Sequence, residues 1–130
     1  MDNEQIFQAV TAILADPDSE DRDEIKGLTL AMLEMNEEEF DNIFERQVIR
    51  KSFLRTITEM IYPFLQYVGV LWNTNKAMIA QEHFVSYLIR QKIIAETEGL
   101  SNTFNPDGKR FLLLLPEGEW HEIALLIAQY

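Results

Sequence analysis

Apolar residues recur at helical spacing through most of the chain. Ile6, Phe7, Val10, Ile13 and Leu14 fall on one side of a helix predicted over residues 4–14. Asp16-Pro17-Asp18-Ser19 breaks it. A second helix is predicted over about 19–35, with Ile25, Leu28, Met32 and Met35 on its apolar side and Gly27 weakening it. Asn36 followed by three glutamates is a helix start, and the third helix runs to about 50 on a stripe of Phe40, Ile43, Phe44 and Val48. Ser52 is placed to cap a fourth helix, SFLRTITEMIYPFLQYVGVLW, with a kink or break expected near Tyr62 because of Pro63. After an Asn73-Thr74-Asn75 turn, a fifth helix is predicted over 76–98, ended by Gly99.

The period then changes. Residues 99–109, GLSNTFNPDGK, read as a linker. The run 110–115, RFLLLL, fits a short strand buried on both faces, followed by a Pro116-Glu117-Gly118 turn and a helix over 119–130 with Ile123, Leu126 and Ile127 on one side. The predicted fold class is mainly α. A four- or five-helix bundle spans 1–98, a linker spans 99–109, and 110–130 holds the first strand and helix of an incomplete α/β domain. One strand makes no parallel sheet, so the chain reads as truncated, and the unpaired edges of that strand predict dimerisation or disorder there, with a homo-oligomer expected.

Composition narrows the function classes. The 130 residues include no cysteine, which excludes disulfides and thiolate metal sites. No apolar run is long enough to span a bilayer and the N-terminus is acidic, so a cytoplasmic protein without membrane contact is expected. The net charge is −11, and it is uneven: residues 1–45 hold 14 acidic and 2 basic side chains, residues 46–130 hold 8 and 9. A surface so acidic repels phosphate, so no direct nucleic-acid contact is expected. No serine stands in a Gly-x-Ser-x-Gly context and the two histidines have no metalloprotease spacing, so the chain is not expected to be an enzyme.

Candidate chemistry begins at Glu82-His83. On a helix the face-mates of Glu82 are Met78, Val85, Ile89 and Ile93, so a carboxylate lies on the stripe that faces the bundle. That placement is costly unless something pairs with it. His83 projects about 100° away, beside Ile79, Ser86 and Arg90. The plain alternative is a salt bridge to an arginine or a capping bond for Glu82, with His83 an ordinary margin residue. The second histidine, His121, follows the predicted strand, and Glu119 two residues earlier is placed to take one ring N–H and leave the other nitrogen for a metal. Here too the plain alternative is an acid at a helix start and a solvent-exposed imidazole.

Trp72, nine residues, then Glu82-His83 resembles the W-x9-EH signature of the helical domain of cobalamin-dependent, light-sensing regulators of the MerR type. Pro63, Gly69, Leu71, Ser86, Ile89 and Arg90 also look like that family, and Glu119-Trp120-His121-Glu122-Ile123-Ala124 is similar to its E-x-H-x-x-G motif. The resemblance covers about residues 1–130. It implies a four-helix bundle capping the upper face of the corrin. Trp72 would form an apolar wall for the upper group of adenosylcobalamin, and Glu82 would accept hydrogen bonds from that group. His83 would line the same pocket and ligate cobalt once light removes the upper group. His121 would be the lower axial cobalt ligand, oriented by Glu119, on the first strand and helix of a Rossmann-like domain. Ala124 stands where the motif has Gly, and the groove for the nucleotide tail lies in strands and helices the chain lacks, so this fragment is expected to be cofactor-free as it stands. DNA contact would belong to a missing helix-turn-helix. Two other readings stay open: a corrinoid-protein module of a methyltransferase, and a cofactor-free interaction or dimerisation domain that has kept the fold.

Overall fold

A computed structural model describes residues 21–73, 77, 79–100, 105–119 and 121–130. The predicted first helix, over 4–14, and Trp120 lie outside the described residues. The chain divides into two compact units between Phe84 and Val85, inside its longest helix. Among the described residues there is no β-strand, and the architecture is mainly α.

In the first unit, α1 (Arg22–Leu33) and α2 (Glu37–Lys51) pack together, and α2 leads into α3 (Phe53–Thr56), a π-helical turn (Ile57–Ile61) and α4 (Tyr62–Asn73). Helix α1 also packs against the π-turn and α4. The core is Ile25, Leu28, Met32, Phe40, Ile43, Phe44, Phe53, Ile57, Met60, Ile61, Phe64 and Val68, the apolar sides of five segments facing inward. Phe40 meets Phe64 and Phe44 meets Phe53 at ring-centroid distances of 6.3 and 6.1 Å, in tilted and edge-on geometries that aromatic quadrupoles favour. Gly27 belongs to this contact. A Cβ there would stand 2.8 Å from Cδ1 of Ile43, so the residue that weakens α1 locally lets α2 come close.

The turns between helices depart from the expectations in instructive ways. Helix α1 ends at Leu33, and Met35, expected inside it, has φ 51°. The Met35 amide donates to the Met32 carbonyl and the Asn36 amide to Ala31, the paired bonds of a Schellman cap with methionine where glycine is usual. Asn36 caps α2 as its sequence implies, its Oδ1 accepting from the Glu39 amide at 3.1 Å. Ser52 does not cap α3 through its side chain. Its backbone sits at φ 90°, ψ 161°, a conformation that favours glycine, and its carbonyl instead accepts from the amide and hydroxyl of Thr56. The irregularity expected near Tyr62 takes the form of a π-turn and not a break. The helix widens by one turn just before Pro63, with the Tyr62 amide donating to the Ile57 carbonyl. That change of register accommodates a residue with no N–H and a bulky ring without ending the helix.

Helix α5 (Ile79–Glu98) carries Val85, Leu88, Ile89 and Ile93 as its buried residues, and the Gly99 amide closes its last turn on Ala95 and Glu96. In the second unit the predicted linker contains an Asn105–Gly108 turn in which Asn105 Oδ1 accepts from the Asp107 amide. The predicted strand over 110–115 does not form. Phe111 and Leu112 are 81% and 84% exposed. A strand exists only through a hydrogen-bonded neighbour, and among the described residues none is present. The final helix is also shorter than predicted: α6 spans Ile123–Gln129, because residues 116–119 and 121 are committed to a turn and to side-chain contacts described below.

Candidate functional site

Trp72 follows Phe64 and Val68 on α4 by two steps of four, so the three share one stripe. Phe64 and Val68 are buried, whereas Trp72, one residue from the helix end, is 49% exposed. Glu82 is the mirror case on α5. Val85, Ile89 and Ile93 on its stripe are fully buried, while Glu82, in the first turn, keeps 32% of its side chain exposed. Met78, the fourth expected face-mate, lies outside the described residues. The short connection between α4 and α5 keeps the ends that carry Trp72 and Glu82 within roughly 20 Å of each other. An indole too exposed for a core residue and a carboxylate too buried for a surface one thus flank one connection.

The Glu82 carboxylate lies 2.9 Å from Nδ1 of His83, whose side chain is 74% exposed. A first-turn position also places this acid favourably against the helix dipole. Gln81, which the sequence patterning did not single out, fastens this helix start: its Nε2 donates to the Leu33 carbonyl at 2.9 Å, at the C-terminal end of α1. No local pattern forecasts a bond between residues 48 apart.

In the second unit, Pro116-Glu117-Gly118-Glu119 forms a turn closed by the Glu119 amide on the Pro116 carbonyl, with Gly118 at φ 85° as a type II turn requires. Glu119 Oε1 then accepts from the His121 amide at 2.8 Å and lies 2.6 Å from its Nδ1. The imidazole is 92% exposed. With Nδ1 held by a carboxylate, Nε2 is the nitrogen left for a ligand, the arrangement that fixes the tautomer of metal-binding histidines. Glu119 and His121 therefore meet as their spacing implied, and the predicted strand that was to present them is missing. The next residue, Glu122, pairs with Arg90 Nε at 2.6 Å. Ala124 is exposed on α6. Among the described residues no group of three or more metal-ligating side chains converges.

The core and the two helix ends define an α-helical bundle domain that displays an aromatic and an acid at the α4–α5 connection. A family described as B12 binding domain matches residues 24–95, more than half of the chain, and the chain belongs to that family. The match begins in α1 and ends in α5, so it contains Trp72, Glu82 and His83 but not Glu119 or His121. No curated protein and no solved structure matches the chain. Its function is accordingly cobalamin-related, through the helical domain. Among the described residues, no helix is long and apolar enough to cross a membrane.

Proposed function

We propose that this chain is the ligand-sensing effector part of a MerR-type transcriptional regulator. In this reading its helical bundle (residues 1–98) covers the upper face of adenosylcobalamin, and residues 110–130 open the α/β domain that holds the lower face. The observation that carries it is the pair of stripe ends. Trp72 continues a buried stripe into solvent, and Glu82 starts one with a half-buried carboxylate, in a chain whose family is the B12 binding domain. The exposed indole suits stacking on an adenine, and the carboxylate suits the hydroxyl and amine donors of an adenosyl group.

The residues at the lower side fit the group as well. His121, with Nδ1 on Glu119, would leave Nε2 to hold cobalt. Cobalamin, if bound, would supply light-sensitive cobalt chemistry. His83, exposed and braced by Glu82 through Nδ1, would be the residue on this side able to hold cobalt. The chain senses and does not turn over substrate. DNA contact is assigned to a helix-turn-helix of the whole regulator, since this chain carries a net charge of −11. The assembly is proposed as a cytoplasmic homo-oligomer.

A second reading, a cofactor-free dimerisation domain that has kept the fold, is favoured by the exposed Phe111 and Leu112 and by Ala124 in place of glycine. Comparing cobalamins in the intact regulator separates the two. Trp72→Ala and Glu82→Gln should each weaken adenosylcobalamin about tenfold, given that an adenine stacked on an aromatic contributes roughly 1–3 kcal/mol. Neither should change the affinity for cyanocobalamin, which lacks the adenosyl group. Absence of any corrin absorbance change in the wild-type protein favours the dimerisation reading.

A further inference from the structure

We propose that Arg90 is a positioning residue for His121, acting through Glu122. The inference rests on the assignment of His121 as the lower axial ligand. Glu122 occupies the N-cap position of α6, where its carbonyl accepts the first helical bond from the Leu126 amide at 2.9 Å. Its side chain, longer than those that cap helices, makes no cap bond. It reaches Arg90 on α5 instead, at 2.6 Å. The contact ties the residue after His121 to the helix that also carries His83.

Both partners are partly exposed, so the pair adds little to stability. Its effect is geometric. The imidazole itself is almost wholly exposed, and no predicted strand holds the backbone that precedes it. The motif is braced on the near side by Glu119, which takes both the His121 amide and Nδ1, and on the far side by the Arg90–Glu122 pair. Removing the far brace leaves α6 free to turn about the Glu119 contact, and Nε2 moves with it. The contact is a close charge pair between Nε and Oε1, so it sets the distance between α5 and the start of α6.

The test uses cob(II)alamin bound to the intact regulator containing 15N-labelled histidine, read by electron paramagnetic resonance, beside Arg90→Ala, Arg90→Lys, His121→Ala and the charge swap R90E/E122R. The wild type should show nitrogen hyperfine splitting from an imidazole, and His121→Ala should abolish it. Arg90→Ala should diminish it and weaken cob(II)alamin binding about tenfold, the lower end for partners that orient a metal ligand. Arg90→Lys should lie between, and the charge swap should recover most of the signal. Amide hydrogen exchange over 22–73 checks that each variant keeps its bundle. Wild-type splitting and affinity in Arg90→Ala overturn the positioning role and leave the lower-ligand assignment standing. A wild type that binds cob(II)alamin without imidazole splitting, or does not bind it, overturns that assignment and this inference with it.

Discussion

Met35 and Ser52 carry backbone angles that their side chains disfavour, and each sits where one helix hands over to the next. Met35, at φ 51°, serves a Schellman cap in which both bonds are made. The left-handed conformation costs a residue with a Cβ about 1–2 kcal/mol. Its side chain is substantially exposed, so little packing is lost on truncation. Met35→Gly is therefore expected to stabilise the protein by about 1 kcal/mol, seen as a higher urea midpoint with an unchanged slope. At this scale the sequence was legible where chemistry is local. Asn36 capped its helix, and Glu119 found His121 two residues away. Ser52 was misread because its preference for caps says nothing about the direction the chain must take after α2.

The elements were legible wherever an apolar stripe was long enough to show its period. Helices α1, α2 and α5 lie within a few residues of their predicted spans, and the core of the first unit is largely the residues of the predicted stripes. Pro63 announced an irregularity but not its form, because a π-turn and a break answer the same missing N–H. The run over 110–115 misled for a different reason. Apolarity marks a segment to be covered, and the cover for a strand is another strand, which no local pattern supplies. The π-turn also has an electrostatic anchor. Glu59, on that turn, pairs with Arg55 Nε at 2.9 Å and lies 3.4 Å from Nζ of Lys51, which itself holds Asp21. The hydrogen bond from Arg55, seconded by Lys51, holds the Glu59 carboxyl below its usual value of 4.5. A carboxyl lowered on folding stabilises the fold above its unfolded pKa, and that contribution is lost as pH falls through the folded value. The stability gap between wild type and Glu59→Gln should accordingly be constant near neutral pH and close on acidification, as followed by urea titrations at successive pH values. A gap that widens in acid contradicts the pairing.

For the whole molecule, the family match takes in Trp72, Glu82 and His83 but leaves out Glu119 and His121. Residues 24–95 carry the B12 binding domain, while the proposed lower ligand lies beyond them. The helical domain was legible because W-x9-EH combines a spacing with a physical anomaly, an acid on an apolar stripe. The Arg90–Glu122 pair was not, since it joins residues remote in sequence. The central claim is that the bundle end bearing Trp72, Glu82 and His83 meets the upper group of a cobalamin. It is tested most directly by titrating the intact, 15N-labelled regulator with adenosylcobalamin in the dark and following its amide and indole resonances. Concentration-dependent shifts at Trp72 and over 79–83, absent with cyanocobalamin, are the predicted result. Resonances at those positions that stay fixed up to millimolar adenosylcobalamin, or that move equally with both cobalamins, contradict it.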